Sequence, residues 1–159
     1  MSVRRGFGDE SWRLAQDGDS AALHRAADLL LEGEPAGLFY DGHRARAFAL
    51  ALEGRVDDAL AQLNEGWTDD WPFPAAYAAD IARVRFVAGD YEQSLGALQL
   101  AVHGSDRVDP AIAELASGLV AQAPGLRVRA IKVVLSGGTA WQRLRNAAAV
   151  ATVSVSARN

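Results

Sequence analysis

Apolar positions recur along this chain at two length scales. Within short stretches they fall at i, i+3, i+4 and i+7, the spacing of one helix face. Leu23, Ala26, Ala27 and Leu30 do so, as do the pairs Leu60 with Leu63 and Leu95 with Leu98. Over longer distances the stretches themselves repeat. The run from Gly54 to Leu63 returns as the run from Gly89 to Leu98, 35 residues on, with a small residue five after each glycine (Ala59, Ser94) and Leu nine after. Gly18, Gly54, Gly89 and Gly125 are spaced by 36, 35 and 36 residues. A small residue also stands seven before three of them, at Ala47, Ala82 and Gly118, and Ala130 and Val134 complete the set after Gly125. Around Gly18 the set is weaker, because Leu23 stands where a small residue is wanted. A fixed period of this size marks stacked units, each with an apolar face that only a neighbour can bury.

The pattern predicts helices over 9–16 and 20–31, then from Asp41 to about Glu53, Val56 to Gly66, Ala75 to Ala88, Tyr91 to His103, Pro110 to Gln122 and Thr139 to about Thr152. Ser20, Asp41 and Asp90 are the expected caps, and Pro74 and Pro110 the expected helix starts. Residues 126–136 read two ways. Val128, Ile131, Val133 and Val134 favour a strand by propensity, whereas the repeat register makes this a helix, and the register is preferred. The last helix carries Trp141, Leu144, Ala148 and Ala151 on one stripe, which is expected to face inward and close the stack.

These residues resemble the tetratricopeptide repeat family. Its unit is about 34 residues, with Gly at the turn and small residues in both helices. Gly54 and Gly89 match the turn, Ala47 and Ala82 the first helix, and Ala59 and Ser94 the second. Tyr91 stands where the family favours an aromatic. His43 and Ala78 depart from it, standing where an aromatic is usual. The resemblance implies an all-α fold: an alpha-alpha superhelix, or solenoid, of about four helical hairpins (roughly 9–33, 40–67, 74–104 and 109–136) plus a C-terminal capping helix over 139–152, in a single domain spanning 1–159. It also implies an inner groove formed by the first helix of each unit. The matching groove positions are Arg44, Phe48 and Ala51, then Ala79, Arg83 and Phe86, then Ile112, Leu115 and Leu119, with Trp12 added from the first unit. Arg44 and Arg83, flanked by Phe48 and Phe86, suit an acidic or carboxyl-ended peptide, because a guanidinium forks onto a carboxylate. The family's chaperone-tail clamp needs an Asn where Phe48 stands, so that ligand is not expected.

Half the residues are hydrophobic and 23% charged, as in a globular chain. There is no Cys, which excludes a disulfide framework, a thiolate metal site and a thiol nucleophile. The three histidines, His24, His43 and His103, have no His partner at i+3 or i+4, so no metal and no cofactor is expected. No Gly-x-Ser-x-Gly elbow occurs. The start lacks a secretory signal, and the apolar run around 147–151 is far below the roughly 20 residues that span a bilayer. A cytoplasmic protein without a membrane partner is the expectation. Arg outnumbers Lys 15 to 1, a bias that fits a GC-rich bacterial genome.

Net charge is −4 but unevenly spread. After Glu114 there is no Asp or Glu, while Arg127, Arg129, Lys132, Arg143, Arg145 and Arg158 follow. Such asymmetry suits an electrostatically steered protein partner, or a homo-oligomer in which the acidic front meets the basic C-terminal face. A pI near 5.3 disfavours nucleic acid. The loop from Trp67 to Pro74, with Asp69, Asp70 and Trp71, breaks the helical pattern with two prolines and is a possible contact point. The function expected is therefore a non-catalytic interaction scaffold. The alternative is a small enzyme or ligand-binding regulatory subunit with a pocket near 67–74.

Overall fold

The computed structural model describes residues 10–32, 39–67 and 74–154, and every regular element among them is helical. The described part of α1 covers 10–16. There follow α2 (Ser20–Glu32), α3 (Phe39–Leu52), α4 (Val56–Gly66), α5 (Pro74–Val87), α6 (Tyr91–Val102), α7 (Pro110–Gln122), a 3-10 turn (Pro124–Leu126), α8 (Arg127–Val134) and α9 (Ala140–Ala151). The chain divides into two compact units. Unit 1 is Met1–Phe73 with Arg83–Gly89, and unit 2 is Pro74–Ala82 with Asp90–Asn159. No helix among the described residues is long and apolar enough to cross a membrane.

The turns follow from the periodic glycines. Gly18, Gly54 and Gly89 have φ of 75, 78 and 82°, the left-handed region a side chain resists. At Gly18 and Gly54 two bonds close the helix end in the same way. The glycine N–H reaches back three residues, to Ala15 and Ala51, and the next N–H reaches back five, to Leu14 and Leu50. This is the Schellman arrangement, which satisfies carbonyls that the helix leaves unpaired. Gly125 differs from the expectation. It sits inside the 3-10 turn with no positive φ, because Pro124 begins that turn and tightens the chain by itself.

Burial repeats with the same period. The residues seven before, five after and nine after each glycine are Ser11, Leu23 and Ala27, then Ala47, Ala59 and Leu63, then Ala82, Ser94 and Leu98, then Gly118, Ala130 and Val134. All but Gly118 are buried. The first set thus keeps its place in the core despite Leu23. Small side chains allow close helix approach, and in unit 2 Ser94 also donates its hydroxyl to the Ala82 carbonyl at 2.6 Å. In unit 1, α3 packs against α2 and α4. In unit 2, α6, α7 and α8 pack on one another, and α9 lies on α7 and α8.

Caps depart from expectation in two places. Asp19, not Ser20, takes the capping bond to α2, accepting from Ala22 N–H at 3.0 Å. Asp41 lies within the first turn of α3 and reaches Arg44 at 3.5 Å. Asp90 caps α6 as expected, and Asp109 caps α7 ahead of the expected start at Pro110. Residues 127–134 form a helix and no strand, because tertiary packing of Ala130, Val133 and Val134 outweighs β-branched propensity.

The stripe expected to close the stack is reversed. α9 buries Asn146 and Val150, whereas Trp141, Leu144, Ala148 and Ala151 all face solvent. Polar anchors set this orientation. Gln142 completes a capping box with Thr139. It also donates to the Val108 carbonyl at 2.9 Å and accepts from Val108 N–H at 3.1 Å. At the other end Arg127 donates to the carbonyls of Ala151 (2.5 Å) and Val153 (2.7 Å). A cation there also complements the helix dipole.

Candidate functional site

Helix spacing places Phe48 near the middle of α3 and Arg83 and Phe86 one turn apart in α5, and the fold of unit 1 brings them to Trp12 from α1. The Trp12 and Phe48 rings meet edge to face, with centroids 5.6 Å apart. Trp12 and Phe86 lie 6.1 Å apart and tilted. The Arg83 guanidinium stands 5.5 Å from the Trp12 ring centroid, a cation–π arrangement. Phe48 is fully buried and forms the floor, while Trp12, Arg83 and Phe86 are half-buried above it. Four of the ten expected groove residues therefore share one cluster. It offers a half-exposed aromatic surface with a positive charge stacked on it, suited to an apolar side chain beside a carboxylate.

Arg44 sits differently. Its side chain is 15% exposed and pairs with Asp41, so part of its charge is already balanced. Ala51, Ala79, Ile112, Leu115 and Leu119, which the resemblance also implied as groove residues, are buried. Trp67 is half-buried at the C-terminal end of α4, where its N–H bonds to Leu63 and Asn64 carbonyls. Asp69, Asp70 and Trp71 lie outside the described residues.

Several polar groups carry no clear signal in the sequence. In unit 1, His24 accepts at Nδ1 from Arg46 at 2.6 Å and meets Glu53 Oε1 through Nε2 at 2.7 Å. Arginine only donates, so the ring proton sits on Nε2 and is given to Glu53. Arg46 also pairs with Asp28, and the chain of four ties α2 to α3. His43 is buried, bonds Gln62 through Nδ1 at 2.9 Å, and lies where Gly66 leaves room for it. In unit 2, Asp80 is a fully buried carboxylate, and burial raises the Tyr77 phenol pKa above its ordinary value. Their spacing is that of any helix face, so sequence alone does not single them out. Among the described residues no group of three His, Cys, Asp or Glu is placed to hold a metal ion.

Unit 2 also has an open groove of about 200 Å3 between α6 and α8, lined by Leu95, Gly96, Gln99, Arg129, Lys132 and Val133. Glu92 reaches Arg129 at 3.6 Å. The groove has cations but no general base in its lining. No protein-family model, no curated protein and no solved structure matches this chain.

Proposed function

We propose that this chain is a tetratricopeptide-like solenoid module that binds a protein segment, with the Trp12, Arg83 and Phe86 face of unit 1 as the contact. The observation that carries this reading is Arg83 stacked on a half-exposed Trp12 over the buried Phe48. Supporting the repeat architecture are three left-handed glycines at matching φ and a core that recurs with their period. A carboxyl-ended or acidic segment would place its carboxylate on the guanidinium and an apolar side chain against the rings. Because Phe48 is sealed from solvent, it supports the face from beneath. Arg44 contributes field more than contact, since its side chain is only 15% exposed.

The test is binding of acidic, carboxyl-ended peptides, read by Trp fluorescence and by capture on beads. Arg83→Glu should weaken capture about tenfold or more, the scale of a lost charge-assisted pair. Arg44→Glu should weaken it less, and Arg85→Glu should leave it near the native level. Capture indifferent to Arg83→Glu would remove this face as the site.

A further inference from the structure

α9 carries its polar anchors inward and its large apolar side chains outward. Trp141 and Leu144 are 68% and 66% exposed. With Ala148 and Ala151 they form a stripe on the side of the helix opposite Asn146 and Val150. Arg145 lies on the edge of that stripe and is exposed. The adjoining α8 exposes Val128 and Lys132, and Leu135 just past its end, at i, i+4 and i+7, with Arg129 beside them. No acid occurs in either helix, or anywhere after Glu114. The helix is also firmly held, at Gln142 by Val108 and at its end by Arg127, so the ridge is a fixed feature of unit 2.

We propose that α9 is a peripheral docking helix for an anionic lipid surface. Trp141 and Leu144 would enter the headgroup boundary, and Arg145, with Lys132 of α8, would meet the negative charge, Arg129 being balanced in part by Glu92 of α6. The sequence expectation of no membrane partner rested on the length of apolar runs, which bears on spanning a bilayer and not on lying at its surface. A helix lying in the interface needs one apolar side and flanking cations, and α9 has both. A second copy fits this face less well. The 12 residues of α9 and the 8 of α8 are about 18 and about 12 Å long and about 10 Å wide, so their outer sides together cover roughly 300 Å2, against about 800 Å2 per partner in a stable dimer. Antiparallel pairing would also set mid-helix Arg145 beside its own copy with no acid near. A partner protein's groove would find two large anchors followed by two alanines, a short hold. A lipid surface needs no fixed partner for each side chain.

The test is flotation of the full chain with phosphatidylcholine vesicles, with and without phosphatidylglycerol. The chain should float with the anionic vesicles about tenfold more than with the neutral ones, and its Trp emission should shift to the blue. Trp141→Ala with Leu144→Ala should reduce flotation about tenfold, and Arg145→Glu should also reduce it. All three positions are solvent-exposed, and circular dichroism checks that the variants keep native helicity. Leu29→Ala, an exposed leucine of unit 1, should leave flotation unchanged. Equal flotation of the Trp141/Leu144 variant, or none with anionic vesicles, overturns the proposal. So does light scattering showing a native dimer that this variant dissociates, or native binding to polyglutamate without binding to vesicles. Peptide capture through Arg83 is untouched by any of these results.

Discussion

Trp12 ties three helices of unit 1 together, and its value depends on what lies on each side of its ring. Phe48 beneath it is fully buried, so Phe48→Ala removes a ring from a close-packed site and should cost about 3–5 kcal/mol in denaturant unfolding. Arg83 lies on the wetter side. A double-mutant cycle of Trp12→Phe and Arg83→Gln should give a coupling of about 0.5–1 kcal/mol, because a half-exposed cation–π pair is partly screened by water. Coupling near zero would mean that the stacking is incidental. The residues of this cluster were named in the sequence only as the groove positions that the family resemblance implies. The burial of Phe48 and the Arg44–Asp41 pair were not, because periodicity gives a face and not the depth at which a side chain ends.

At the scale of elements, glycines that look alike in sequence do different work. Gly54→Ala forces a side chain into the left-handed region at φ 78° and should cost about 1 kcal/mol. Gly125→Ala meets open space at an ordinary φ and should be neutral or stabilising by about 0.4–1 kcal/mol. Gly137→Ala should be the most damaging. A Cβ there would sit 1.8 Å from the Val102 carbonyl oxygen, a backbone atom that cannot swing away. Gly104 N–H bonds Ser136 O, and Gly138 N–H bonds Ser105 O, on either side of that contact. Thermal melts of the three variants should place Gly137→Ala lowest, Gly54→Ala between and Gly125→Ala highest. In the sequence Gly137 directly follows the 126–136 stretch. The partner strand of backbone comes from 35 residues away, which no local pattern announces.

At the scale of the whole molecule, the described exposed ion pairs stabilise little. Arg13–Glu10, Arg55–Asp58 and Arg129–Glu92 are each more than half exposed, so such pairs contribute about 0–1 kcal/mol. Raising salt should therefore leave the melting temperature nearly unchanged. Flotation with anionic vesicles should fall steeply over the same range, as the Debye length shrinks from about 10 Å at about 0.1 M to about 3 Å at about 1 M. A melting temperature that drops while flotation holds would reverse the roles given to these charges. The uneven charge behind this prediction was legible in the sequence. That its basic part carries an outward apolar ridge was not.

The sequence by itself determined the helices, their order and most of their ends, since these depend on local spacing, glycine and caps. For 126–136 the sequence only preferred helix over strand, through the 35–36 residue register, and the structure decided it as a helix over 127–134. Only the tertiary structure decided which side of α9 faces inward. Apolar spacing pointed Trp141 and Leu144 to the core, but a helix rotates to satisfy its strongest constraints together. Here those are the hydrogen bonds of Gln142 to Val108 and of Arg127 to the end of α9, made to residues distant in the chain. Buried polar groups must find partners, and the apolar stripe was left to water.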